Sequence, residues 1–260
     1  MITDLFGYLK SMPRRIPKGR FDDLVRQATE VFIAHGWRQC QMADVAEAVG
    51  VSKPTLYLYV ESKEALFALC CQYSDDPAKL EIPELLPVPT PPPGTAVESL
   101  ARKLASAAAM PVLREALTRS RADDIETELR GVVEELWDIV HANCRTLKLL
   151  DRCSDHPEVG PRWVEEGRLG PRAKLTEYVA SRVSSGQLTA YTEPRLLARV
   201  LLETVATWAM HIRWDRSPEP FTPASLRPGV TDFIVRGLLP EAAAHARPPA
   251  AEPTRRGGTE

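Results

Sequence analysis

FDDLVRQATEVFIAHGWRQCQMADVAEAVGVSKPTLYLYVESKEALFAL, residues 21–69, holds four short helical patterns, with a tight turn between the second and third. In the first, Phe21, Leu24, Ala28, Val31 and Phe32 recur at helical spacings and share one face. Asp22 and Asp23 fall in its first turn, where negative charge suits the helix dipole. Gly36 is the expected C-cap. The second pattern runs from about Met42 to Val49 and turns Met42, Val45, Ala46 and Val49 inward. Gly50 then supplies the positive φ that a sharp turn requires, and Val51 plugs the turn. Ser52 is a good N-cap for a third helix running to about Val60, with Pro54 in its first turn, where no amide donor is missed. Ser62 caps a fourth helix, and Glu64 lies in that helix's first turn.

The third pattern has the chemistry of a DNA groove reader. Ser52, Lys53, Thr55, Tyr57 and Tyr59 crowd donors and rings together, while Leu56 and Val60 anchor the segment to its own core. The N-terminal part of such a helix presents side chains to base edges, and neighbouring hydroxyls and amides hold phosphates. Lys63, at the start of the fourth helix, could share a phosphate with the free amides there. Lys10, Arg14, Arg15, Lys18 and Arg20 form a basic stretch without an acid. The whole chain carries 33 Lys plus Arg against 35 Asp plus Glu, a net charge of −2. Attraction to DNA must therefore come from this arm and the segment after it, and each phosphate neutralised steepens the salt dependence. Arg14, Arg15, Lys18 and Arg20 are its expected DNA contacts, with a minor groove as one destination.

The string AEAVGVSKPTLYLYVESKEAL resembles the DNA-binding domain of the TetR family of bacterial transcriptional regulators. The specific parts are Gly50-Val51-Ser52, Leu56-Tyr57, Tyr59 and Ser62-Lys63-Glu64, and the resemblance covers 21–69. It implies an all-helical homodimer on a palindromic operator, each protomer with one DNA-binding domain and one larger helical domain for an inducer and for dimerisation. By position it makes Gln41, Ser52, Lys53, Thr55, Tyr57, Tyr59 and Lys63 DNA-contact candidates. Two positions depart from the family pattern. Cys40-Gln41 stands where a capping threonine is usual, and Val60 where phenylalanine is usual.

The expected fold is all-α, with no period-two strand pattern. Its expected divisions are an arm at 1–20, the helix-turn-helix domain at 21–76, a proline-rich connector at 77–94, a helical regulatory and dimerisation domain at 95–240 and a disordered tail at 241–260. Helical patterns cover Thr95 to Met110, a stripe from Ile125 to Leu150 broken near Asn143, Trp163 to Val183, Pro194 to Trp214, and a last helix starting at Ser225 or Thr231. Residues 194–214 are apolar on more than one face, so burial from two sides is expected. Leu197, Leu201, Val205, Trp208, Phe233 and Ile234 are the expected dimer contacts, in the four-helix arrangement that the resemblance implies. Trp137, His141, Arg145, Trp163, Tyr178 and Trp208 are the ligand-pocket candidates, although aromatic residues at helical spacing are core more often than pocket.

Other chemistries find little support. His141 with Cys144 and Cys153 with His156 have ligand spacing, but the two cysteines are nine residues apart, which is about 13 Å along a helix. A zinc ion needs all its donors within about 2.3 Å, so no metal and no cofactor is expected. Five cysteines without disulfide spacing, no signal peptide and no membrane-length apolar run point to a cytoplasmic protein with no membrane partner. Nucleophile elbow, phosphate loop and HExxH helix are absent, so no enzyme is expected. The expected function is a sequence-specific regulator, a repressor released by a small-molecule effector. The competing reading is an architectural protein that coats any duplex.

Overall fold

The computed structural model describes residues 19–81, 85–107 and 109–240. Among the described residues no strand forms, and the elements are helices joined by turns. The chain divides into two compact units. Residues up to Lys103 together with Arg145–Val164 make the first, and Leu104–Cys144 together with residues from Glu165 onward make the second. The first unit thus gathers 95–103 and 145–164, which the sequence assigns to the regulatory domain. The tail expected at 241–260 lies outside the described residues.

The first unit starts with α1 (Arg20–Gln39), α2 (Met42–Val49), α3 (Lys53–Leu56) and α4 (Lys63–Tyr73). Phe21, Leu24, Val25, Ala28 and Phe32 of α1 bury their side chains with Val45 and Ala46 of α2 and Leu66, Phe67 and Cys70 of α4. At Gly36, with φ 75°, the first helical run of α1 ends in a kink, and a second short run continues to Gln39. A β-carbon there would stand 3.0 Å from the carbonyl oxygen of Arg152. That close approach marks where the later segment docks. The Arg152 guanidinium donates to the carbonyls of Ile33 (2.9 Å) and Ala34 (3.2 Å), just before the break. The amide of Arg38 donates to Asp155 at 3.1 Å. His156 stacks on Phe67 (5.0 Å between centroids) and tilts against Trp37 (4.4 Å).

Asp75, just after α4, caps α8 (Cys144–Arg152) by accepting from the amides of Arg145 (2.8 Å) and Thr146 (3.3 Å). Lys103, from α5 (Thr95–Ala107), donates to Asp75 at 3.2 Å and to the α4 carbonyls of Cys71 and Gln72 at 3.3 and 3.4 Å. A cation on the last carbonyls of a helix opposes its dipole. One carboxylate and one ammonium therefore tie three helices together.

The second unit is built on α7 (Ile125–Ala142), which buries Leu129, Val132, Val133, Leu136, Trp137 and Val140. On it pack α6 (Pro111–Ala116), α11 (Pro194–Ala209) and α12 (Pro223–Leu238), and α10 (Gly170–Ser184) packs on α11 and α6. A π-helical stretch, Trp163–Leu169, precedes α10, where the sequence suggests one continuous helix from Trp163 to Val183; the short helix α9 (Val159–Arg162), of the first unit, comes before it. The last helix begins earlier than Ser225 or Thr231, because Thr222 caps it by accepting from the amide of Ser225 at 3.2 Å. Arg182, fully buried, donates to both carboxylate oxygens of Glu128 (2.7 and 3.2 Å) and to the carbonyls of Ala116 and Arg119. A charge taken out of water needs such a full set of partners.

Candidate nucleic-acid interface

Local chemistry builds the helix-turn-helix. Gly50 takes the left-handed conformation at φ 71° as α2 ends, and the amide of Val51 returns to the carbonyl of Ala46 at 2.9 Å. Ser52 caps α3 by accepting from the amide of Thr55 (3.3 Å), and the two hydroxyls share a further bond of 2.8 Å. Ser62 caps α4 by accepting from the amide of Ala65 at 3.0 Å. Without threonine at Cys40-Gln41, the start of α2 is capped from the other side. The carboxylate of Asp44 accepts from the amide of Gln41 at 2.8 Å.

Burial then sorts the DNA-contact candidates. Ser52, Lys53 and Tyr57 are exposed on one surface, Thr55 is half-buried, and Leu56 and Val60 hold the segment to the core. Gln41 is exposed at the start of α2. Tyr59 is half-buried, edge-on to Phe21 at 5.6 Å, so its ring serves packing. Lys63 donates to the carbonyl of Trp37, and its ammonium lies 4.3 Å from the centre of the Trp37 ring. Half-buried, it thus has partners within the unit. Arg20 is half-buried, pairs with Asp23 at 3.8 Å and donates to the carbonyl of Val49 at 3.4 Å, joining α1 to the end of α2. Arg14, Arg15 and Lys18 lie outside the described residues.

The proline-rich connector joins this site, which sequence reasoning missed. Val88 forms a parallel bridge with Val60. Its amide donates to the carbonyl of Tyr59 (2.8 Å), and its carbonyl accepts from the amide of Glu61 (2.9 Å). Thr90 adds an amide bond to the Glu61 carboxylate (2.8 Å) and a hydroxyl bond to Ser62 (2.7 Å). Alternating prolines keep such a stretch extended, but nothing in its sequence says which backbone it will pair with.

The ligand-pocket candidates divide between the two units, and within the second the Trp137 and His141 rings stack at 6.5 Å. Arg145 and Trp163 fall in the first unit, and Trp137, His141, Tyr178 and Trp208 in the second. Trp137, Trp163 and Tyr178 are buried, Arg145 pairs with Glu30 at 3.3 Å, and Trp208 meets Phe221 edge-on at 6.0 Å. None of the six lines the cavities of about 180, 310 and 190 Å3 that open beside Lys103, Arg119 and Phe233.

The dimer candidates divide in the same way. Leu197, Leu201, Val205 and Ile234 are buried within the protomer and Trp208 is half-buried, whereas Phe233 is 74% exposed. The outward residues nearby are Tyr191, Leu196 and Val200. Leu197 and Leu201, though buried, line the same apolar cavity as Val200, Phe233 and Ile234, between α11 and α12.

All five cysteines are buried free thiols. Burial pushes Cys40 up to about 11 and Cys70 and Cys153 up to about 12. Such thiols stay protonated and unreactive near neutrality. Among the described residues no group of His, Cys, Asp or Glu could hold a metal ion, and no helix is long and apolar enough to cross a membrane.

Residues 24–70 match the family described as bacterial regulatory proteins, tetR family. No curated protein matches the chain. Among solved structures, the ketosteroid transcriptional regulator KstR2 of Mycobacterium tuberculosis shares the fold at a TM-score of 0.53 and 16% identity, over 87% of this chain and 98% of that one. SCO3833 of Streptomyces coelicolor, a TetR-family member, aligns at 0.47 and 20% identity, over 82% and 87% of the two chains. PfmR of Thermus thermophilus, also of that family, aligns at 0.46 and 18% identity, over 82% and 97%. The match at 24–70 falls on the glycine turn, the serine caps and the exposed segment between them, so it is in this stretch that the chain is similar to the tetR family of bacterial regulatory proteins.

Proposed function

We propose that this protein is a sequence-specific transcriptional regulator that binds a palindromic operator as a homodimer. In this reading it is a repressor, and a small molecule bound in its larger helical part lowers its operator affinity. The observation that carries DNA binding is the exposed group Ser52, Lys53 and Tyr57 on a segment fixed by Gly50, Leu56 and Val60. Short donors on a rigid helical turn are what base-edge readout requires. Two half-sites must match the separation of two such segments, so any ligand that changes that separation changes affinity. The homodimer reading is supported by Leu196, Val200 and Phe233, apolar side chains exposed on α11 and α12.

The test is binding to fragments of the protein's own upstream region against random competitor DNA, across a salt series. A protected palindrome that survives competitor is the expected result and supplies the assay for effectors. Equal loss on all fragments, coming with uniform coating of any duplex, would replace the regulator by an architectural protein.

A further inference from the structure

The outward surface of the reading segment is not wholly polar. Pro54 and Leu58 are exposed on it together with Ser52, Lys53 and Tyr57, and Leu58 is 50% exposed. Leu58 has no part in anchoring the segment, since Leu56 and Val60 do that at 0% exposure. Nor does it sit on a loose loop. Helical bonding continues past α3: the amide of Leu58 donates to Thr55 at 3.1 Å, and those of Tyr59 and Val60 donate to Leu56 at 3.0 and 3.3 Å. The Val60–Val88 bridge then fixes the end of the segment. Pro54 and Leu58 are thus both exposed on the short hydrogen-bonded segment that carries the exposed Tyr57 and the Ser52–Thr55 hydroxyl pair.

An exposed aliphatic side chain on this surface has a specific counterpart. In the major groove the thymine 5-methyl is the apolar group that base pairs display, among acceptors and amino donors. A leucine gains nothing from those polar edges and loses hydration against them, whereas beside a methyl both lose apolar surface to water. A protein partner is the weaker occupant. Two residues cover far less than the roughly 800 Å2 per side of a stable protein interface, and the strip is continuous with the DNA-reading surface. We propose that Leu58, with Pro54 beside it, reads thymine 5-methyl groups and so makes thymine the preferred base opposite the end of the reading segment. The proposal rests on the sequence-specific reading above.

The test uses the full-length protein and a random-sequence duplex pool. Enriched sites should place thymine at one fixed position in each half-site. That thymine is then replaced by deoxyuridine, which removes the methyl and nothing else. Wild-type affinity should fall about fourfold for each methyl removed. Leu58→Ala should bind the thymine and deoxyuridine sites within about twofold of each other, since the side chain that felt the methyl is gone. Leu58 is a surface residue, and a thermal melt matching wild type confirms that the variant is folded. Equal wild-type affinity for both sites, or an undiminished penalty in Leu58→Ala, overturns the proposal and leaves the regulator reading standing. A pool that enriches no sequence overturns both.

Discussion

Gly36 meets two demands that no other residue meets together: a left-handed backbone and the absence of a β-carbon beside the Arg152 carbonyl. Gly36→Ala should destabilise the first unit by roughly 1–3 kcal/mol from the backbone alone, read as a lower urea midpoint. His156 makes a different kind of demand. Its Nδ1 accepts from the amides of Glu158 and Val159, each at 3.2 Å, so that nitrogen must be unprotonated. Burial between Trp37 and Phe67 is the main cause holding its pKa below 6.5, and Lys63 adds to it, against the opposing pull of Glu158, Glu64 and Asp155. The unfolded chain then binds the proton more readily, so this part of the stability is complete above about 6.5 and declines as pH falls below it. Urea midpoints at about pH 7.5 and about pH 5.5 should differ in wild type, and the difference should narrow in His156→Asn. An unchanged difference in the variant would place the titration elsewhere.

At the scale of elements, Asp75 matters more than its place between α4 and the connector suggests. It caps α8 and receives Lys103, and its side chain is only 13% exposed. Asp75→Ala removes a cap and strands a partly buried ammonium, a combined cost of roughly 2–4 kcal/mol, which a denaturant titration would register. No sequence pattern announces this, because the partners of Asp75 lie 70 and 71 residues away at Arg145 and Thr146. The helix-turn-helix was legible for the opposite reason. Gly50, Ser52 and Ser62 each act on atoms within five residues, so their chemistry can be read from their neighbours alone. The stop near Asn143 was legible on the same grounds, while the shift to a π-helical turn at Trp163–Leu169 had no local sign. Ser52, Lys53 and Tyr57 are exposed on that segment. Lys63 and Tyr59 have inward partners, Trp37 and Phe21, that only the assembled unit supplies.

At the scale of the whole molecule, helical periodicity says which helices are apolar but not which apolar face already has a partner. Leu197, Leu201 and Val205 face inward, so an interface between copies would be carried by Phe233 and Val200. Phe233→Asp should weaken self-association by roughly thirtyfold or more, seen as a monomer by light scattering at concentrations where wild type is a dimer. Leu201→Asp would not separate the two effects, because it would also break the bundle. The chain that completes α1 and α4 includes Arg152 and His156, and its segment ends at Val164. At about 5–20 residues per second, α1 to α4 emerge several seconds before their last supporting helix exists. Until then the Ile33 and Ala34 carbonyls lack the Arg152 guanidinium and the Phe67 ring lacks His156, so the nascent segment waits for the chain that completes it.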